Sequence, residues 1–146
     1  MSRLHAELVV DGSQVLLRRD ESVRASIKAM KEMRPFYYLP DMDNGMEDSI
    51  FSPFFGVQAA TLSALPRLTR LGGAVVVTCV TRMLPGGQGY VLTLSEPWTD
   101  FPSGNVEADV HRMNAAIEDL VRTMPAQYYW VHRRFKTRPP GEPKVY

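Results

Sequence analysis

The sequence predicts an α/β fold, a mixed and mostly parallel sheet with covering helices, and three observations carry that expectation. Short β-prone apolar runs alternate with segments of helical period, the rhythm of strands separated by helices. The run Ala74 to Val80 is almost continuously apolar and β-branched, as in a strand buried on both faces of a parallel sheet. At 146 residues and 45% hydrophobic content, the chain has the size of one domain and can bury a core.

Taken in order, Val15, Leu16 and Leu17 form a short strand pattern after the turn-prone Asp11-Gly12-Ser13. Asp20 or Ser22 can cap a helix whose Val23, Ile27 and Met30 share one face, and which must stop before Pro35. Phe36 to Leu39 is aromatic and reads as a strand closed by Pro40. From Pro40 to Gly56 no period is sustained, which predicts a long irregular connection of the kind that carries function. Val57 to Leu71 reads as a helix with Leu62, Leu65 and Leu68 inward, kinked or divided at Pro66 and ended by Gly72-Gly73. Ala74 to Val80 is the buried strand, Pro85-Gly86-Gly87 a turn, and Tyr90 to Leu94 a further strand. Glu107 to Thr123 is the clearest helix: Val110, Met113, Ile117, Leu120 and Met124 trace one stripe, between the cap Asn105 and Pro125.

Charge is local rather than global. The 17 Lys and Arg oppose 16 Asp and Glu for a net +1, which argues against a nucleic-acid binder. Arg133, Arg134, Lys136, Arg138 and Lys144 crowd the last fourteen positions, opposed only by Glu142. Cys79 is the single cysteine, so no internal disulfide forms, and its valine neighbours predict a buried strand thiol. No apolar run reaches the roughly eighteen residues needed to cross a bilayer, so by itself the chain is expected to be soluble or peripheral.

Chemistry concentrates in two places. Asp41 and Asp43 follow Pro40 in the long connection. They do not make a calcium loop, because Gly45 falls fifth from Asp41 rather than sixth and no Glu follows at the required distance; turn-forming or capping aspartates are the plain alternative. Residues 127–146 form a basic aromatic tail that packs Tyr128, Tyr129, Trp130, His132 and four cations before two prolines. His132 can act as a base or make a structural hydrogen bond, and the cations can be solvated or face anions.

The tail, Met124-Pro125-Ala126-Gln127-Tyr128-Tyr129-Trp130-Val131-His132-Arg133-Arg134-Phe135-Lys136-Thr137-Arg138-Pro139-Pro140-Gly141, resembles the C-terminal signature of the bacterial lipid A late acyltransferases. Tyr38-Leu39-Pro40-Asp41-Met42-Asp43 resembles that family's Pro-Asp-x-Asp loop. Ile50-Phe51-Ser52-Pro53-Phe54-Phe55-Gly56, Ala59-Ala60-Thr61 and Val80-Thr81-Arg82-Met83-Leu84-Pro85-Gly86-Gly87 resemble its following segments, in order, while residues 1–13 match least.

The resemblance implies the C-terminal part of a glycerolipid-acyltransferase-like fold as one domain over 1–146. It implies transfer of a fatty acyl chain from acyl carrier protein to a hydroxyacyl group of a lipid A precursor, without a cofactor or metal, at the cytoplasmic face of the inner membrane. The family's His-x-x-x-x-Asp pair is not in this sequence, since Val10, Ala116 and Thr137 stand five places after His5, His111 and His132. No catalytic residue is therefore assigned, and an inactive fragment is expected. Substrate contacts implied by the resemblance fall on Arg19 for phosphate, on Asp41 and Asp43 for the acceptor, and on Arg133, Arg134 and Lys136 for lipid phosphates, an anionic surface or the carrier protein. Arg82 joins them if it ends a strand at the carboxyl edge of a parallel sheet, with a pairing to Asp100 or Glu96 as its alternative. A non-catalytic module binding anionic lipid or carrier protein, derived from the enzyme, is the second expectation.

Overall fold

The computed structural model describes residues 23–146. The strand expected at Val15 to Leu17, the Arg18 and Arg19 pair and the caps Asp20 and Ser22 lie outside the described residues.

Helix α1 (Val23–Lys31) ends before Pro35 as its pattern requires, and its buried Met30 packs on α2 (Ala64–Gly72). The contact is close at Gly72, where an added Cβ would stand 2.9 Å from the Met30 methyl carbon. Gly73 then ends α2 in the left-handed region at φ 61°, a conformation that costs glycine nothing.

Strand β1 (Ser49–Phe54) pairs antiparallel with β2 (Val57–Leu62), Phe54 opposite Val57 and Ser49 opposite Leu62. Phe55 and Gly56 make the two-residue turn with φ of 50° and 75°, the positive values that match strand twist in tight hairpins. Two expectations are corrected here. The segment up to Gly56 is not all irregular, because Pro53 fits β1 at a position next to the turn-closing pair, where a strand residue's N–H faces away from its partner. The stretch from Val57 is not one helix divided at Pro66 but a strand followed by a helix. Pro66 sits in the first turn of α2, where a missing N–H breaks no helical bond.

The sheet is antiparallel rather than mostly parallel. Strand β3 (Cys79–Met83) pairs antiparallel with β4 (Tyr90–Leu94) across the glycine-rich turn, and the described residues form two separate two-stranded ribbons. Apolar content predicts burial but not strand direction, and the short Pro-Gly-Gly connection brings β4 back alongside β3. The expected buried strand is displaced: Val75 and Val77 are exposed, and Cys79 is only half-buried at the start of β3. Phe36 to Leu39 forms no strand, and Tyr37 and Leu39 face solvent.

Helix α3 (Val106–Thr123) packs on β1 and α2; of its expected stripe Val110 and Met113 are buried and Ile117, Leu120 and Met124 half-buried, while Val121, outside that stripe, is buried as well. Asn105 caps it by accepting from the Ala108 N–H at 3.1 Å. Asp109, buried one turn on, accepts the Ser103 N–H on both oxygens. Among the described residues no helix is long and apolar enough to cross a membrane.

Candidate functional site

After α3 the chain does not trail into solvent. Two short 3-10 turns, Pro125–Gln127 and Trp130–His132, wrap it over the β1–β2 hairpin. Trp130 donates its indole N–H to the Pro125 carbonyl at 2.9 Å and stands edge-on to Tyr128 at 4.8 Å. Phe54 and Phe55, at the hairpin tip, meet Tyr128, Trp130 and Phe135. Gln127 takes the place of a strand for Met83, accepting its N–H at 2.8 Å and donating to its carbonyl at 3.1 Å.

At the centre of this wrap lies Arg134, 1% exposed. It donates to the Ala60 carbonyl and the Thr61 hydroxyl at 2.6 Å each, and to the Asn114 side-chain oxygen at 3.4 Å. Its guanidinium also covers the Phe54 ring at 5.4 Å. Asn114 completes the network by donating to the Thr61 hydroxyl and the Pro53 carbonyl. Burial holds the Arg134 pKa below the ordinary arginine value, opposed by the fields of the Tyr128 side chain, Asp41 and Asp43. A cation this deep persists because carbonyl and hydroxyl oxygens receive it while the two aspartates supply negative potential.

Those aspartates belong to the Pro-Asp-x-Asp loop, which the tail clasps. Asp43 is buried and accepts from the Thr137 N–H and hydroxyl at 2.8 Å each, and from the Gly45 N–H at 3.0 Å. His132 Nε2 lies 3.1 Å from the Asp41 carbonyl, and its Nδ1 faces the Tyr129 carbonyl. Both ring nitrogens thus face main-chain carbonyls, with the Tyr128 hydroxyl 3.4 Å from Nε2, so His132 is built into the contacts of the tail. The Asp41 carboxylate is half-buried beside Tyr128, whose hydroxyl is pushed above its usual range by burial first and by this anion second.

The residues singled out by sequence thus separate. Asp41, Asp43 and Arg134 come together, whereas Arg133 and Lys136 face outward. Arg134 is corrected from a lipid-facing cation to a core group, since it is buried and both terminal nitrogens donate inside the fold, while its Nε–H is buried without a partner. Asp43 is likewise anchored, whereas the Asp41 carboxylate is half-buried against the Tyr128 hydroxyl. Arg82 sits exposed on β3, where an antiparallel ribbon has no shared carboxyl edge, and it pairs with neither Asp100 nor Glu96. Arg19 lies outside the described residues. Among the described residues no three His, Cys, Asp or Glu side chains are placed to hold a metal.

Asn114 was not among the residues the sequence singled out, and Tyr128 and Thr137 stood in the tail without an assigned role. Asn114 was detectable, because it stands four residues after Val110 on the buried stripe of α3, and a polar residue there needs partners. Thr137 carried no local signal; its partner is 94 positions away.

A family model described as bacterial lipid A biosynthesis acyltransferase matches residues 10–137. The lipid A biosynthesis lauroyltransferase of Escherichia coli (strain K12) is 41% identical over 133 residues, covering 90% of this chain and 43% of that relative. The palmitoleoyltransferase of the same strain is 36% identical over 126 residues, covering 86% of this chain and 41% of its own length. The myristoyltransferase is 33% identical over 135 residues, covering 88% and 40%. The chain spans less than half the length of these relatives.

Proposed function

From the premise that the chain belongs to the bacterial lipid A biosynthesis acyltransferase family, we propose that it serves O-acyl transfer from acyl carrier protein to a hydroxyacyl group of a lipid A precursor. The reaction takes place at the cytoplasmic face of the inner membrane. The observation supporting this reading is the clasp itself: the Pro-Asp-x-Asp loop and the C-terminal tail, two of the segments that resemble the family, close on each other through Asp43 and Thr137. Anchoring Asp43 leaves Asp41 as the carboxylate that accepts a hydrogen bond from the acceptor hydroxyl and orients it. Arg133 and Lys136 face the anionic lipid or the carrier protein.

Acyl transfer needs a base for the hydroxyl proton and donors for the oxyanion. These 146 residues contain no His-x-x-x-x-Asp, and His132 is occupied by carbonyls. The 146-residue chain alone is therefore inactive, and a polypeptide carrying that motif must complete the site. A radiolabelled acyl-transfer assay tests this. No turnover is expected from the chain alone, and turnover sensitive to Asp41→Asn is expected when the complementary part of a relative is added. Turnover by the chain alone would refute the reading.

A second reading is a non-catalytic binding module for anionic lipid or carrier protein, favoured by the outward setting of Arg133 and Lys136. It requires salt-sensitive binding that survives Asp41→Ala, and binding to neutral vesicles would exclude it.

A further inference from the structure

Where β1 meets the first turns of α3, a cavity of about 440 Å³ opens between Phe51, Ser52 and Pro53 on one wall and Glu107 and His111 on the other. One wall holds a polar group with nothing to bind. Ser52 is 3% exposed, and its hydroxyl is buried without a hydrogen-bond partner, a state that costs stability until a partner arrives. Strand geometry turns that hydroxyl toward the helix. Ser52 shares a face of the ribbon with Ile50, and Ile50 lies opposite Thr61, whose hydroxyl accepts from Asn114 of α3.

The edge of the strand supplies a second acceptor. With Phe54 and Val57 closing a two-residue turn, Phe51 falls at a position whose carbonyl points away from β2. The Pro53 carbonyl, two residues on and pointing the same way, is taken by Asn114 at 3.2 Å, so this edge faces α3. Among the described residues no donor reaches the Phe51 carbonyl.

The third acceptor is a carboxylate. Glu107, exposed on the first turn of α3, has no hydrogen-bond or ion-pair partner among the described residues. The positive end of a helix favours an anion, but Glu107 and Asp109 in that first turn already answer it, and Asn105 Oδ1 is spent on the Ala108 N–H. Among the described residues no Lys or Arg lines the cavity.

We infer that this cavity binds a small molecule through a primary ammonium group, which donates to the Glu107 carboxylate, the Ser52 hydroxyl oxygen and the Phe51 carbonyl. An ammonium has three donors and no acceptor, which matches three acceptors left without donors. Its carbon skeleton lies along the apolar surface of Ile50 and Pro53. A bare metal ion is the poorer match, because among the described residues no three His, Cys, Asp or Glu side chains converge and the cavity is far larger than one ion needs.

The test follows backbone amide NMR resonances of the full chain during titration with butylammonium chloride at fixed ionic strength. Butan-1-ol, which lacks the charge, and tetramethylammonium, which lacks the N–H donors, serve as comparison probes. Butylammonium is expected to shift the Phe51, Ser52, Ala108 and His111 amides saturably, and the comparison probes to leave them in place. Glu107→Gln weakens binding about tenfold, the loss of a charge-assisted hydrogen bond, and Ser52→Ala about fivefold, the loss of a neutral one. Asp119→Asn removes an exposed carboxylate farther along α3 and leaves binding unchanged. The proposal is overturned if butylammonium gives no saturable shift or either comparison probe binds as tightly. It is overturned equally if Asp119→Asn weakens binding as much as Glu107→Gln, or if Ser52→Ala binds like the wild type. Acyl transfer is read in none of these arms, and neither Asp41 nor the tail lines the cavity, so the outcome is independent of the acyltransferase reading.

Discussion

Asp43 and Thr137, 94 positions apart, are joined by two hydrogen bonds of 2.8 Å, one from the backbone N–H and one from the hydroxyl of the threonine. Through this pair the loop that carries Asp41 is held by the tail that carries Arg134. Thr137→Val keeps the volume and the N–H and is expected to cost about 1 kcal/mol, whereas Asp43→Ala strands three donors and is expected to cost about 2–3 kcal/mol. A double-mutant cycle by urea denaturation checks the coupling; simple additivity of the two losses would show that the pair does not hold the loop.

Arg133 and Arg134 are neighbours of the same type with opposite roles. Arg134→Ala leaves the Ala60 carbonyl, the Thr61 hydroxyl and Asn114 without their donor in the core, an expected loss of about 3 kcal/mol or more. Arg133→Ala, at an exposed position, should stay within about 0.5 kcal/mol of wild type. Equal denaturation midpoints for the two variants would contradict the burial of Arg134.

Tyr38 and Tyr128 should respond differently to loss of their hydroxyls. The Tyr38 hydroxyl is buried without a hydrogen-bond partner, so Tyr38→Phe is expected to be neutral or stabilising. Tyr128 stands beside Asp41 with its hydroxyl 3.4 Å from His132 Nε2, so Tyr128→Phe should destabilise by about 1 kcal/mol. Burial pushes the Tyr38 hydroxyl up to about 12. Spectrophotometric titration should therefore lose one late tyrosine in Tyr38→Phe, and an unchanged profile would count against its burial.

Glu118 ties the hairpin tip to α3 by accepting the Phe55 N–H at 2.6 Å, with Arg122 as its cationic partner. The Arg122 hydrogen bond, and then that of Phe55, hold its carboxyl below the usual range. A lowered folded pKa means that the stabilisation is present above the unfolded value, near 4.3, and is lost as pH falls through the folded one. Protection of the Phe55 amide against hydrogen exchange, relative to an unprotected amide, should fall in that acid window in the wild type. In Glu118→Gln the same amide should show no such transition; a transition that persisted would assign it to another group.

Local pattern makes several elements legible. α1, α3 with its Asn105 cap, β4 and the Gly73 stop of α2 follow from side-chain periodicity and from single residues whose backbone preferences act within a few positions. The loop at Asp41 and the basic tail were legible as chemistry, since they concentrate carboxylates and cations in short spans. Strand direction was not, because the valines of 75–77 report apolarity without naming a partner, and Pro53 concealed a strand whose hairpin pairing alone tolerates it.

Local pattern thus specifies α1, α3 and the turns, the family likeness and the places where charge gathers. The role of each charge follows from the closed fold. Arg133 and Arg134 are identical in chemistry and adjacent in sequence, yet the left-handed turn at Arg133 sends one outward and the other into the oxygens of Ala60, Thr61 and Asn114. The physical reason is range. Helical period and turn preference act over a few residues, whereas the worth of a buried cation or carboxylate depends on partners that only the closed fold brings within 3 Å.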